Sequence, residues 1–303
     1  MKNDPLVTVA TNLPAWGRSE KELWLSKQVI KRSYAVEVLS KIKALSESFD
    51  IVQYGELSID AERYPLFIAK NKHWCEDART ILVTGGVHGY ETSGVQGALR
   101  FLQNEALAYT KSYNIVVAPC VSPWGYETIN RWNAQCIDPN RSFNKEGNSE
   151  EAVLLMAAIR LLNADIQLHM DLHETTDTDN SEFVPAKDAR DGTVTAYSET
   201  PDGFYLVGDE DINSDELFAF ILKKVAQVTH IAPEDEHGCI IGTPITQYGV
   251  INYPVKALGL CAGFSNAQFN CTTEVYPDSA RADDETCILA QVIAVKAAIE
   301  FIS

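Results

Sequence analysis

The run Thr80-Ile81-Leu82-Val83-Thr84-Gly85-Gly86-Val87 constrains this chain more than any other stretch. It is apolar, β-branched and closed by glycines, which suits a central strand buried on both faces. Such a sheet needs helices above and below it. Residues 19–48 read as helical, and within Ser33–Ser46 the residues Val36, Val38, Leu39, Ile42 and Leu45 fall near helical spacing. Helices are also expected over Thr92–Leu107, Glu150–Asn163, Asp215–Thr229 and Asp283–Phe301. Strands are expected at Ile51–Gly55, Tyr64–Ala69, Tyr113–Pro119, Ile166–His173, Leu258–Ala262 and Phe269–Val275. Pro123–Asn148 reads as a long loop. Residues 174–216, dense in Asp and Glu, read as an irregular excursion with a hairpin near Thr195–Val207. Strands alternating with helices predict an α/β fold in three layers, α/β/α, around a mixed, mostly parallel twisted sheet. The whole of residues 1–303 is expected to form a single domain. Its site belongs in the loops beyond the C-terminal strand ends.

Bulk properties exclude several functions. Hydrophobic residues make up 46% and charged residues 22% of the 303, an ordinary globular balance that buries a core without staples. The formal net charge of −17 disfavours phosphate backbones and anionic lipid, so no nucleic-acid or membrane partner is expected. Seven scattered cysteines contain no CxxC pair and read as reduced core residues, not as a disulfide framework or a thiolate zinc site. The N-terminal residues lack a signal-peptide apolar stretch, and no run approaches the roughly 18 apolar residues of a membrane span. The cytoplasm is the expected compartment, and the oligomeric state is left open.

Polar motifs fall where the strands end. His88-Gly89-Tyr90-Glu91 follows the glycine-closed strand, and a His and a Glu three apart can face one way if the chain turns into a helix between them. Hydrolytic zinc takes three protein ligands and keeps one position open for water. The third candidate is His173, the last strand residue of the run Ile166 to Glu174. His169, Asp171 and His173 alternate onto one face. His169 reads as a core histidine and Asp171 as a group that orients a ligand or an arginine. Read alone, His88 and Glu91 also describe an ordinary helix start with a carboxylate in its first turn.

Arg131 and the pair Asn140-Arg141 lie in the polar loop. A guanidinium can grip a carboxylate in a two-point fork, and another can stabilise an oxyanion. Surface arginines would look the same. Glu274 sits inside the strand-like run Cys271 to Val275, where an unpaired charge is costly. It is the candidate general base, with an edge-strand carboxylate as the ordinary alternative.

Taken in order, His88/Glu91, Pro123-x-Gly125 leading to Arg131, Asn140-Arg141, His173 and Glu274 resemble the motifs of the zinc carboxypeptidase (M14) family. The similarity runs from about residue 33 to the C-terminus. It implies a zinc carboxypeptidase-like (phosphorylase/hydrolase-like) fold and one Zn2+ per chain on His88, Glu91 and His173. It also implies Arg131 at the scissile carbonyl, Asn140 and Arg141 on the substrate carboxylate, and Glu274 as base. Two departures stand out. The family's Asp-Leu-Asn-Arg is Asp138-Pro139-Asn140-Arg141 here, and the run Asp171-Leu172-His173-Glu174-Thr175 is closer to the succinylglutamate desuccinylase and aspartoacylase branch. The family's mobile substrate-side tyrosine maps to Tyr248 or Tyr253, with Tyr248 taken as the candidate. The expected activity is hydrolysis of an amide next to a free carboxylate, in a small peptide or, alternatively, an N-acyl amino acid. A zinc-binding relative without catalysis is the third reading.

Overall fold

The computed structural model describes residues 8–10 and 14–303. The remainder of the N-terminal stretch considered above lies outside the described residues. Eight strands form one sheet: β1 Phe49–Glu56, β2 Pro65–Asn71, β3 Thr80–Gly85, β4 Asn114–Ala118, β5 Ile166–Glu174, β6 Tyr205–Asp209, β7 Val250–Tyr253 and β8 Phe269–Val275. Their order is β7-β6-β8-β5-β3-β4-β2-β1. The pairs β7/β6, β8/β5, β5/β3 and β3/β4 are parallel, whereas β6/β8, β4/β2 and β2/β1 are antiparallel. The sheet is therefore mixed and mostly parallel.

Four long helices cover it: α1 Thr92–Asn104, α2 Glu150–Leu161, α3 Asp215–Val225 and α4 Asp284–Ile302. Period-two alternation sorts the central strand β5, all nine residues of which are buried. Leu168, Met170 and Leu172 pack in one core with Phe101 of α1, Phe218 of α3 and Val295 of α4. His169, Asp171 and His173 therefore face the opposite side of the strand. Leu155 and Ile159 of α2 pack there in a second cluster with Leu82 and Val116. Each fully buried large side chain contributes about 1.5–3 kcal/mol, so the polar trio of β5 is held inside a strand that cannot easily move. All seven cysteines are free, five of them buried.

Several local expectations are corrected. The helical reading of 19–48 breaks into Arg18–Ser26 and a second helix beginning at Ala35. Between them, the N–H groups of Lys31 and Arg32 donate to the Glu127 carbonyl instead of to a helix. Pro123–Thr128 is a short helix rather than loop, with its proline at the first turn. No hairpin forms near Thr195–Val207: Thr193–Thr195 pairs with Thr8–Ala10, and β6 joins the main sheet. The excursion also carries helical turns from Asp179 to Asp191. Leu258–Ala262 is not a strand, because Gly259 adopts φ +67° and turns the chain into a helix at Cys261. Strand β7, only four residues between Gly249 at φ +72° and Pro254, went unrecognised.

Candidate metal centre and active site

Two adjacent parallel strands aim the metal-ligand candidates. The chain leaves β3 through Gly85 and Gly86, reaches His88 and enters α1 just after Glu91. An added Cβ at Gly89 would lie 2.1 Å from the Tyr126 backbone nitrogen, so only glycine lets this loop sit on the 123–128 helix. The Glu174 carboxylate accepts from Thr92 N at 3.1 Å and Ser93 N at 2.6 Å, capping α1 beside Glu91. From α4, Gln291 Nε2 donates to the His173 carbonyl at 2.8 Å.

His88, Glu91 and His173 meet as a group, with one ligand atom from each lying within 4.8 Å of the others. Glu91 Oε1 stands 2.7 Å from His88 Nδ1, and Oε2 stands 2.7 Å from His173 Nδ1. The second contact has ion-pair distance without hydrogen-bond geometry, and Oε2 is left buried with no hydrogen-bond partner. That is an unusual condition for a carboxylate oxygen and suits a shared cation. Outer carboxylates hold the far nitrogens. His88 Nε2 meets Asp138 Oδ1 at 3.0 Å, and His173 Nε2 meets Asp171 Oδ2 at 2.8 Å. This is the carboxylate–histidine arrangement that orients metal ligands. Burial works against charge on Glu91, but the two imidazoles prevail and hold its pKa at about 2. The residues present therefore fit a divalent ion. A set of two histidines and one carboxylate is suited to zinc.

The other candidates surround the same place. A cavity of about 300 Å³ is lined by His88, Glu91, Arg131, Asn140, Arg141 and Glu274, with His173 directly behind Glu91. Arg131 donates through Nε to Asp138 Oδ2 at 3.2 Å and through Nη1 to Asp179 Oδ1 at 3.4 Å. Among the described residues its Nη2 has no hydrogen-bond partner. Arg141 gives Nη1 to the Asn140 carbonyl at 2.8 Å and forms no ion pair among the described residues. Asn140 Oδ1 accepts from Cys261 N at 2.7 Å, which fixes its amide. Glu274 Oε2 accepts from Thr175 Oγ1 at 3.0 Å. Burial pushes the Glu274 carboxyl up to about 8; the Glu91 charge adds to this, while His173 and the Thr175 hydroxyl oppose it.

Tyr248 stands apart from this group. Its side chain is 56% exposed, and its hydroxyl donates to the Ile231 carbonyl at 3.3 Å. Tyr253 lines the cavity instead. The reason is the β7 edge, which ends at Tyr253 and leaves Tyr248 in the turn before it. His169 is fully buried, with Thr84 Oγ1 at 3.0 Å and Ser265 Oγ at 3.1 Å. Sequence reading missed Asp138, which joins His88 to Arg131, and Asp179, which takes both Arg131 and the Tyr90 hydroxyl at 2.7 Å. Asp138 opens the run Asp138-Pro139-Asn140-Arg141, and its proximity to Asn140-Arg141 was the available signal. Asp179 carried none.

Fold and site place the chain within the metallocarboxypeptidase-like hydrolase fold. Residues 77–199 match the succinylglutamate desuccinylase/aspartoacylase catalytic domain family. Among solved structures, the chain is similar to a Shewanella amazonensis protein provisionally described as a metallopeptidase. The two are 19% identical, with a TM-score of 0.68 over 91% of this chain and 99% of that one. A metallo-carboxypeptidase from Burkholderia cenocepacia is 15% identical, with a TM-score of 0.58 over 87% and 68% of the two chains. A metallo-carboxypeptidase from Pseudomonas aeruginosa, in complex with (2-guanidinoethylmercapto)succinic acid, is 13% identical, with a TM-score of 0.57 over the same shares. No curated protein sequence matches the chain. The resemblance read from the motifs thus extends to the fold, and the likeness to the desuccinylase branch lies over 77–199.

Proposed function

We propose that this chain is a zinc-dependent hydrolase that cleaves an amide bond next to a free carboxylate. One observation carries the reading. The Glu91 carboxylate, whose Oε2 is buried without a hydrogen bond, lies between the imidazoles of His88 and His173 and lines a cavity that also holds Arg131, Arg141 and Glu274. Zinc bound by His88, Glu91 and His173 supplies Lewis-acid polarisation of the scissile carbonyl and acidifies water. Glu274 takes a proton from the attacking water and delivers it to the departing nitrogen. Arg131, held from two sides by Asp138 and Asp179, turns its remaining Nη2 toward the oxyanion. Arg141 and Asn140 receive the substrate carboxylate. Tyr253 takes the place on the cavity wall first expected of Tyr248.

A second reading concerns the substrate. The match over 77–199 and a cavity of about 300 Å³, walled on one side by Asn180, Phe183 and Thr200 of the excursion, favour an N-acyl amino acid over a longer peptide. The free cysteines support a cytoplasmic location. Among the described residues no helix is long and apolar enough to cross a membrane.

The test is metal content and turnover together. Purified chain should carry about one zinc, and His88→Ala should lose both metal and activity. N-acetyl amino acids assayed beside C-terminally free peptides decide between the two substrate readings. A chain that takes up zinc yet hydrolyses neither set would overturn the catalytic proposal.

A further inference from the structure

Arg32 lies in the 27–34 segment that interrupts the expected N-terminal helix, far in sequence from every residue of the site. The N–H groups of Lys31 and Arg32 donate to the Glu127 carbonyl at 2.8 and 3.2 Å, and Tyr34 N donates to Glu127 Oε1 at 2.8 Å. This docks the segment on the 123–128 helix. The guanidinium then reaches two separate stretches of chain, residues 89–92 and the 123–128 helix. Nε donates to the Tyr126 carbonyl at 2.5 Å and Nη1 to Thr92 Oγ1 at 2.6 Å. Nη2 donates to the carbonyls of Gly89 at 2.8 Å and Tyr90 at 3.3 Å. Its carbon lies 3.5 Å from the centre of the Tyr126 ring.

Among the described residues Arg32 is in no ion pair. Its donors go to neutral oxygens, three of them backbone carbonyls, and its cation rests on an aromatic face. The two stretches it joins are residues 89–92, which run from the loop after His88 past Glu91 to the first residue of α1, and the 123–128 helix on which that loop rests. The planar fork of an arginine spans such a set, whereas a lysine ammonium is a single point charge on a flexible stem.

We propose that Arg32 is a positioning residue for the metal centre: it sets the backbone of residues 89–92 so that His88 and Glu91 aim at one point. The inference rests on the metal reading of the preceding section. The test uses the full chain, with cobalt(II) and zinc(II) as probes. Arg32→Met and Arg32→Lys are compared with the parent by zinc competition against a chelator, by the visible spectrum of the cobalt form, and by melting of the metal-free proteins. Arg32→Met is expected to bind zinc about 10- to 100-fold more weakly, in the range set by other groups that orient metal ligands. Its cobalt spectrum should also be altered, and Arg32→Lys should fall between the two. Should Arg32→Met fail to fold, the lysine variant carries the comparison. A variant that melts lower yet shows the parent's zinc affinity and cobalt spectrum makes Arg32 a brace of the fold alone, and the proposal falls. If the parent itself binds neither ion, the metal reading fails, and this inference with it.

Discussion

Glu274 shows how one side chain's surroundings decide its chemistry. On a wet edge strand it would be an ordinary carboxylate. In the cavity, burial raises it to about 8 against an ordinary value of 4.5, near the range where a base and a conjugate acid are both accessible at neutral pH. Glu274→Gln should keep its bond from Thr175 and its metal while kcat drops about 10²- to 10⁴-fold, read by steady-state kinetics beside metal analysis. The same shift has a stability consequence in the metal-free protein. Across the window from about 4.5 to about 8, the folded state holds the proton and the unfolded state has released it. Unfolding therefore releases a proton, and stability falls as pH rises through that window. Metal-free Glu274→Gln should melt above the parent, with a margin that widens between about pH 5 and 8. Parallel melting curves would mean that Glu274 does not titrate there.

At the scale of elements, the site depends on how closely α1 lies against β5. An added Cβ at Gly94 would stand 2.3 Å from the Leu172 carbonyl oxygen, one residue from His173. Gly94→Ala must push the helix off the strand, at a cost of about 1–3 kcal/mol or more. Because Glu91 immediately precedes α1, metal should be lost more readily as the melting temperature drops, and the two should be measured on the same sample. The turn at Gly259 matters in a different way. Phe143 N donates to the Gly259 carbonyl at 2.9 Å, and Cys261 N is tied to Asn140. Leu258 and Leu260 thus line the cavity beside Arg141, together with Val207 and Thr272, which face one another across β6 and β8. The residue whose carboxylate Arg141 holds is expected to have an apolar side chain. N-acetyl-leucine should be turned over with a higher kcat/KM than N-acetyl-aspartate, and Leu258→Arg should narrow or reverse that order.

For the whole molecule, the balance lies between a formal net charge of −17 and the cations that stand among the carboxylates of the cavity lining, Arg131, Arg141, Lys187 and Arg190. The surface repels an anionic substrate at long range, and salt screens that repulsion over roughly 10 Å at 0.1 M. A substrate carboxylate taken up by these guanidinium groups would make short, partly buried contacts, which salt weakens less. The kcat/KM for an N-acyl amino acid is therefore expected to rise as ionic strength increases from about 0.01 to 0.15 M. A steady fall would show that attraction by the cavity extends well beyond its mouth.

Much of this was legible along the chain because it is local. Period-two alternation in Ile166–Glu174 placed His169, Asp171 and His173 on one face, and the glycines after Thr84 marked where β3 must end. What no local pattern contains is which distant groups become neighbours. His88 finds Asp138 fifty residues on, Tyr90 finds Asp179 eighty-nine residues on, and Arg32 reaches Gly89 and Tyr126 from the break between two helices. That Tyr253 and not Tyr248 lines the cavity follows from a four-residue edge strand that alternation could not reveal. Periodicity records the direction in which a side chain leaves its own backbone. The order of strands in the sheet alone decides what it meets, because hydrogen bonds, ion pairs and shared cations depend on distances in space and not on separation along the chain.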